Sequence, residues 1–147
     1  MMKSLIKVFA IVGLVITTSA LSFAKVPTNS LNRANVSVVL DAYVNSSVYG
    51  QSEFVQEFIS EDFVQRFQTG NKQASVKKSA YIKHLKSLTG VKYNCKTAVE
   101  LMEEANGFSI AKVTLTFNDF IRTDYVQLTT DAGGWKVREV NSVFQNK

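Results

Sequence analysis

The chain has 147 residues, of which 46% are hydrophobic and 20% charged, with 17 basic side chains against 12 acidic ones. This length suits one domain with a hydrophobic core of its own, and the formal net charge of +5 is too mild to argue for a polyanionic partner such as nucleic acid. The single cysteine, Cys95, excludes an intramolecular disulfide, so the fold must be stabilised by packing. Cys95 is either a small buried side chain, a reactive thiol or a link between two copies.

The first 24 residues have the pattern of a secretory signal peptide. Lys3 and Lys7 precede an apolar run over residues 8–16, and Ser22-Phe23-Ala24 offers small residues where a signal peptidase cleaves. Nine apolar residues are too few to span a membrane, although a retained anchor or a core helix is the alternative interpretation. We therefore predict export to the periplasm or the exterior, and a mature chain whose charge falls to +3 because two lysines leave with the leader.

A flexible lead-in and one long helix are predicted next. Residues 25–35 contain the only proline and are rich in Asn and Ser, which is typical of a mobile segment. Apolar residues then recur at helical spacing over residues 36–49. Asn35 is the expected N-cap of this helix and Gly50 its expected end. The folded domain is predicted to cover residues 36–147.

Two shorter helices and a short strand are predicted in the middle of the chain. Ser52 is expected to cap a second helix whose apolar stripe runs to Ile59. A short strand is predicted over residues 63–67, followed by a polar loop over residues 69–74. Ser75 is expected to begin a third helix that ends before Gly90.

The second half of the sequence predicts an antiparallel sheet. From Tyr93 onward the apolar period changes to two, and Asn106-Gly107 is the strongest hairpin signal. The four predicted strands lie over residues 95–101, 108–117, 120–130 and 135–144. Alternation predicts one covered and one solvated face. We expect an α+β fold in which three N-terminal helices pack on a curved four-stranded antiparallel sheet, with one additional short strand, around a conical interior.

Four segments carry a resemblance to a known family. They are Val39–Val44 followed by Gly50, Phe58–Val64, Ala80–Leu85 and Gly133–Val137. In this order they resemble the nuclear transport factor 2-like superfamily, also called cystatin-like, and within it the secreted bacterial group known as putative lumazine-binding proteins. Gln51 departs from the group, which commonly has an acidic residue there. The resemblance implies a cone-shaped fold, but the superfamily includes isomerases, dehydratases, polyketide cyclases and binding modules, so fold alone does not settle function.

The candidate site residues begin with charged and phenolic side chains. Asp124 lies two residues before Val126, so if that face is interior, Asp124 and Arg122 face inward together and either pair or hold a polar ligand. The alternative is that both meet solvent near the start of the strand. Tyr43 and Tyr81 lie on apolar helical stripes, either as core residues or as hydrogen-bond donors in a pocket.

Three further candidates depend on strand register and helix edge. Glu139 and Asn141 share a strand face with Trp135, so they would join Asp124 at the mouth of the cone unless a bulge turns them outward. His84, at the edge of the third helix, is either solvent-facing or a general base. It has no second His, Cys or acid at ligand spacing, so we predict no metal site, and no cofactor motif is present.

Aromatic content favours ligand binding. Ten Phe, five Tyr and one Trp are many for this length, although Phe9 and Phe23 leave with the leader. They fill the core first, and a surplus lining a cavity would suit a flat ligand. We expect an exported, non-catalytic domain that binds a small aromatic or heterocyclic molecule without a cofactor. The alternatives are an isomerase or dehydratase using Asp124 with Tyr43 or His84, and a homodimer. The homodimer would form through the outer sheet face, which carries Thr114, Thr116, Tyr125, Gln127 and Thr129.

Seven lysines without an acid between residues 72 and 96 indicate a solvated helix face or a surface that steers anionic ligands.

Overall fold

A computed structural model describes residues 29–147; the predicted leader and the first part of the lead-in lie outside the described residues. Three helices precede or interrupt a sheet of six strands. In chain order the elements are α1 (Val36–Val48), α2 (Val55–Phe58), β1 (Ile59–Thr69), β2 (Lys72–Lys77), α3 (Lys78–Ser87), β3 (Lys96–Ala105), β4 (Phe108–Thr116), β5 (Phe120–Asp131) and β6 (Gly134–Asn146).

The strands form one sheet in the order β2-β1-β6-β5-β4-β3. Four of the five neighbouring pairs are antiparallel, and β1 with β6 is the parallel pair. The α+β class and the four C-terminal strands agree with the prediction from sequence. The last of the six strands, β6, lies inside the sheet between β1 and β5. It therefore joins the hairpin of β1 and β2 to the strands β3, β4 and β5.

The predicted strand count was wrong, because residues 59–77 form a full β-hairpin. Thr69 pairs with Lys72 across the two-residue turn Gly70-Asn71, and Gly70 has a φ of 56°. A glycine at positive φ suits such a turn. Ser75 pairs with Arg66 in this ladder and therefore does not cap a helix; α3 begins three residues later, at Lys78.

Local capping and turn signals elsewhere are confirmed. The Asn35 side chain accepts a hydrogen bond from the backbone N–H of Ser37 at 2.9 Å, which makes it the N-cap of α1. Asn106 and Gly107 have φ values of 48° and 78°, as a type I′ hairpin turn requires. The predicted cap at Ser52 is wrong: its hydroxyl bonds to that of Thr89, and α2 is a single turn.

The hydrophobic core lies between the helices and the inner face of the sheet. Alternate residues of β4, β5 and β6 are buried there, while the intervening ones are partly exposed. The largest fully buried side chains are Tyr43, Phe58, Ile59, Phe63, Leu115 and Leu128. The helices lie over β1, β2, β4 and β6. The outermost strand, β3, extends beyond this cover, so Val99 and Leu101 remain 47% and 44% exposed.

Candidate ligand-binding site

A buried polar cluster is centred on Asp124, on the inner face of β5. Asp124 is fully buried, and both of its carboxylate oxygens accept hydrogen bonds. Oδ2 accepts from the Tyr43 hydroxyl at 2.8 Å, and Oδ1 accepts from Arg122 Nε at 2.8 Å and from Ser142 Oγ at 2.6 Å. A buried carboxylate is tolerated when it is paired and hydrogen-bonded in this way. The structure thus brings Asp124, Arg122 and Tyr43 together inside the domain.

Two members of this cluster, Ser142 and Gln65, were not anticipated from the sequence. Ser142 Oγ donates to Asp124 and accepts a hydrogen bond from Gln65 Nε2 at 3.0 Å, and both residues are buried. The only sequence signal for Ser142 is its position two residues after Val140, which places both side chains on the same face of a strand. That signal could be used only if the register of β6 were already known.

Burial and the neighbouring charges shift the pKa values of the cluster. Burial, and then the charge of Asp124, raise the pKa of Tyr43 well above its ordinary value. Burial also raises the pKa of Tyr81, although Arg122 opposes this. For Arg122, burial is the largest single influence and lowers the pKa, but Asp124 and the two tyrosines together outweigh it, so the net shift is upward. Both phenols are therefore held neutral and Arg122 is held charged.

The Tyr81 hydroxyl is buried close to that of Tyr43, but it has no hydrogen bond of good geometry among residues 29–147. Its side chain, 3% exposed, projects from α3 and packs on Phe63 with ring centroids 4.6 Å apart. An unsatisfied buried hydroxyl costs about 1–3 kcal/mol. Such a group in a native protein calls for a physical explanation.

A cavity of about 50 Å³ adjoins the cluster on the side of Arg122 and Tyr81. Its wall consists of Ser47, Gln65, Phe67, Tyr81, His84, Leu85, Leu88, Tyr93 and Arg122. Arg122 Nε has a partner in Asp124, whereas no partner is seen for the terminal nitrogens within the described residues; the side chain is 16% exposed, so these nitrogens can reach solvent. Asp124 does not line the cavity itself, but it bonds to Arg122, which does.

Five half-buried aromatic rings, which we call the aromatic arc, lie at the same end of the domain. Tyr93 contacts Phe117 (centroids 6.1 Å apart), Phe117 stacks on Phe120 (4.4 Å), Phe120 contacts Phe144 (6.1 Å), and Phe144 contacts Phe67 (6.4 Å). The first and last members, Tyr93 and Phe67, also line the cavity. The arc is therefore a row of half-buried aromatic rings whose two ends reach the cavity wall.

Of the remaining candidates, His84 lies in the cavity wall, whereas Glu139 and Asn141 lie on the outer face of the sheet. His84 is exposed on α3 and contributes to the outer part of the cavity wall. Glu139 and Asn141 do not join Asp124; the alternative, in which a bulge turns them outward, is the one that the structure has. The register of β6 against β5 shifts between Val137 and Glu139, and this bulge reverses the strand faces.

On the outer face, Glu139 forms a local polar network. It accepts a hydrogen bond from Asn141 at 2.9 Å and pairs with Arg66 at 2.6 Å. The bond from Asn141, and then the contact with Arg66, lower the pKa of Glu139. These contacts lie on the opposite side of the sheet from the cavity.

Other surfaces offer less defined chemistry. A wide groove of about 900 Å³ between β1 and α3 carries Lys77, Lys78, Lys83 and Lys86, but also Glu61 and Asp62, and Lys78 pairs with Glu61. Cys95 is half-buried near Thr97. Within residues 29–147 no group of three or more His, Cys, Asp or Glu side chains is placed to hold a metal ion. None of the helices in that part of the chain is long and apolar enough to cross a membrane.

Solved structures define the class of fold. A nuclear transport factor 2-like protein of unknown function from Methylobacillus flagellatus KT is 18% identical, with a TM-score of 0.61 over 79% of this chain and 98% of that chain. One from Silicibacter pomeroyi DSS-3 is 10% identical (TM-score 0.58; 76% and 92% covered). An uncharacterized protein with a cystatin-like fold from Caulobacter vibrioides is 13% identical (0.57; 76% and 87%). The fold is therefore nuclear transport factor 2-like.

The family follows from the sequence itself. The model of the family described as Putative lumazine-binding matches residues 32–145. The chain belongs to that family, as its resemblance had indicated. A comparison with curated proteins gives no match.

Proposed function

We propose that this protein is an exported binding protein that holds a small planar aromatic or heterocyclic molecule against the aromatic arc. The observation that carries this proposal is the cavity bounded on two sides by Phe67 and Tyr93, with Arg122 in its wall. Ligand sites are typically apolar and aromatic, with a few polar groups that fix orientation. The arc and the unused donors supply these two parts. The family description is consistent with a small heterocycle as the ligand.

The geometry favours binding over acid–base catalysis. No carboxylate lines the cavity among the described residues. Both oxygens of Asp124 are occupied, and Tyr43 donates to Asp124 rather than to the cavity. A general base must be within hydrogen-bond reach of the proton it removes. An isomerase mechanism through Asp124 would need the whole cluster to rearrange.

Ligand binding can be tested by thermal shift with a panel of pteridines, flavins, indoles and coumarins. A ligand at 100 times its Kd is expected to stabilise the protein by about 2.7 kcal/mol. Phe67→Leu should weaken that binding, whereas Phe108→Leu, at an exposed ring outside the arc, should leave it unchanged. If no member of the panel raises the melting temperature, or if both variants behave alike, the proposal is wrong.

Export rests on the leader sequence, which lies outside the described residues. The mature protein recovered from the periplasm or the culture medium is expected to begin near Lys25, as measured by N-terminal sequencing. Recovery of the uncleaved chain in the cytoplasm would contradict this part of the proposal.

A further inference from the structure

We propose that Tyr81 and Arg122 select a neutral ligand that presents a carbonyl oxygen to the cavity. This inference rests on the proposed function and adds which chemical group of the ligand enters the cavity. It follows from three features of the cavity wall: its unused donors, its formal charge and its size.

The first feature is a set of donors without acceptors. Tyr81 has a buried hydroxyl with no partner in the described residues, and the terminal nitrogens of Arg122 have none there either. Both side chains line the cavity. The unpaired Tyr81 hydroxyl is costly because it is buried, and an acceptor atom on a ligand would remove that cost. A carbonyl oxygen has two lone pairs and can accept from both side chains at once.

The second feature is that the formal charges of Arg122 and Asp124 already cancel. The charge of Arg122 is balanced by Asp124 at 2.8 Å, and Asp124 is fully buried. A ligand carboxylate would therefore bring an uncompensated negative charge into the domain, which is strongly unfavourable. The only other titratable side chain in the wall besides the tyrosines is His84, which is exposed. Neutral acceptors are favoured over anions.

The third feature is the cavity volume of about 50 Å³. A water molecule occupies about 30 Å³ of the liquid, so this space accommodates a carbonyl group and not a bicyclic ring. The ring system of a ligand must then remain at the aromatic arc while its carbonyl enters the cavity. The two parts of the site would thus bind two parts of one molecule.

The experiment compares three bicyclic probes by isothermal titration calorimetry on the full mature chain. Coumarin is neutral and carries a carbonyl, indole is neutral without one, and 2-naphthoate is anionic. Coumarin is expected to bind most tightly. Tyr81→Phe should weaken coumarin by roughly 2- to 12-fold, the equivalent of one hydrogen bond, and leave indole unchanged. Tyr49→Phe, at a half-buried tyrosine outside the cavity, is the matched control and should change neither.

Arg122 needs a different measurement, because Arg122→Gln would leave Asp124 buried without its cation. The side-chain nitrogen signals of Arg122 are instead followed by NMR, and they are expected to shift with coumarin more than with indole. Tighter binding of 2-naphthoate than of coumarin, or equal coumarin affinity in wild type and Tyr81→Phe, would overturn this inference while leaving the proposed function intact. Failure of all three probes to bind would overturn this inference, and the wider thermal-shift panel would then decide the proposed function separately.

Discussion

Replacing either of two neighbouring buried tyrosines by phenylalanine is expected to change the free energy of unfolding in different ways. Tyr43 donates to a buried oxygen of Asp124, whereas Tyr81 has no partner in the described part of the chain. Tyr43→Phe removes a hydrogen bond to a charged group and leaves Asp124 Oδ2 without a donor, so we expect a loss of about 1.5–3 kcal/mol in unfolding free energy. Tyr81→Phe removes a desolvated, uncompensated hydroxyl, so we expect no loss, or a gain of up to about 1 kcal/mol.

Urea unfolding, followed by the fluorescence of the buried Trp135, measures both changes. With a slope m of about 1–3 kcal/mol/M, a loss of 2 kcal/mol lowers the urea midpoint by roughly 0.7–2 M. The two variants are each other's control, because both rings are buried and both changes remove one oxygen. Equal destabilisation would show that the Tyr81 hydroxyl is bonded in the folded protein, which would refute the reasoning about the cavity wall.

Three further expectations concern other parts of the molecule. Gly50 and Gly70 both have positive φ, but a Cβ at Gly50 would lie 2.7 Å from backbone atoms, whereas Gly70 faces open space. Gly70→Ala should cost roughly 1–2 kcal/mol for a left-handed alanine, and Gly50→Ala clearly more; equal losses in urea unfolding would contradict the close approach. The hydrogen bond from Lys136 is the main cause that lowers the pKa of Asp131 to about 2. Because the folded-state pKa lies below the unfolded value of about 3.9, the stability it contributes is present above that value and lost as pH falls toward 2. Asp131→Asn should therefore flatten the decline of the melting temperature between about pH 4 and pH 2, and an unchanged decline would be evidence against this pairing. Self-association through the outer sheet face remains a prediction: if it occurs, Tyr125→Arg should convert dimer to monomer in light scattering, and a wild-type monomer at high concentration would exclude it.

The features that the sequence predicted well are those determined by a few neighbouring residues. Asn35 and Asn106-Gly107 act within their own segment, through a side-chain cap and through positive φ angles. Gly70-Asn71 is also a local turn signal, but the apolar spacing after it led to the prediction of a helix that begins at Ser75. The observed helix begins three residues later, at Lys78. The error at Ser75 therefore came from choosing between two local patterns, since the strand pairing that decides between them is not local.

The candidate site was predictable only in part, for the same reason. Asp124 and Arg122 could be placed on one strand face because they lie two and four residues before Val126. This spacing within one strand does not depend on how the neighbouring strands align. The faces of Glu139 and Ser142 depend on one bulge in β6, and nothing in the residues around Arg138 indicates it. A bulge is determined by how two strands align, so the sequence of one strand does not reveal which of its polar side chains are buried.

The interior position of β6 has a consequence for how this domain forms. Its 13 residues are the last strand to be synthesised, yet they separate β1 and β2 from the other three strands. Without residues 134–146, the hairpin of β1 and β2 and the three-stranded meander of β3, β4 and β5 would have no ladder joining them. Contacts between distant segments slow folding, and here the decisive ones involve the C-terminal end. The six-stranded sheet therefore forms only once residues 134–146 are available to pair with both β1 and β5.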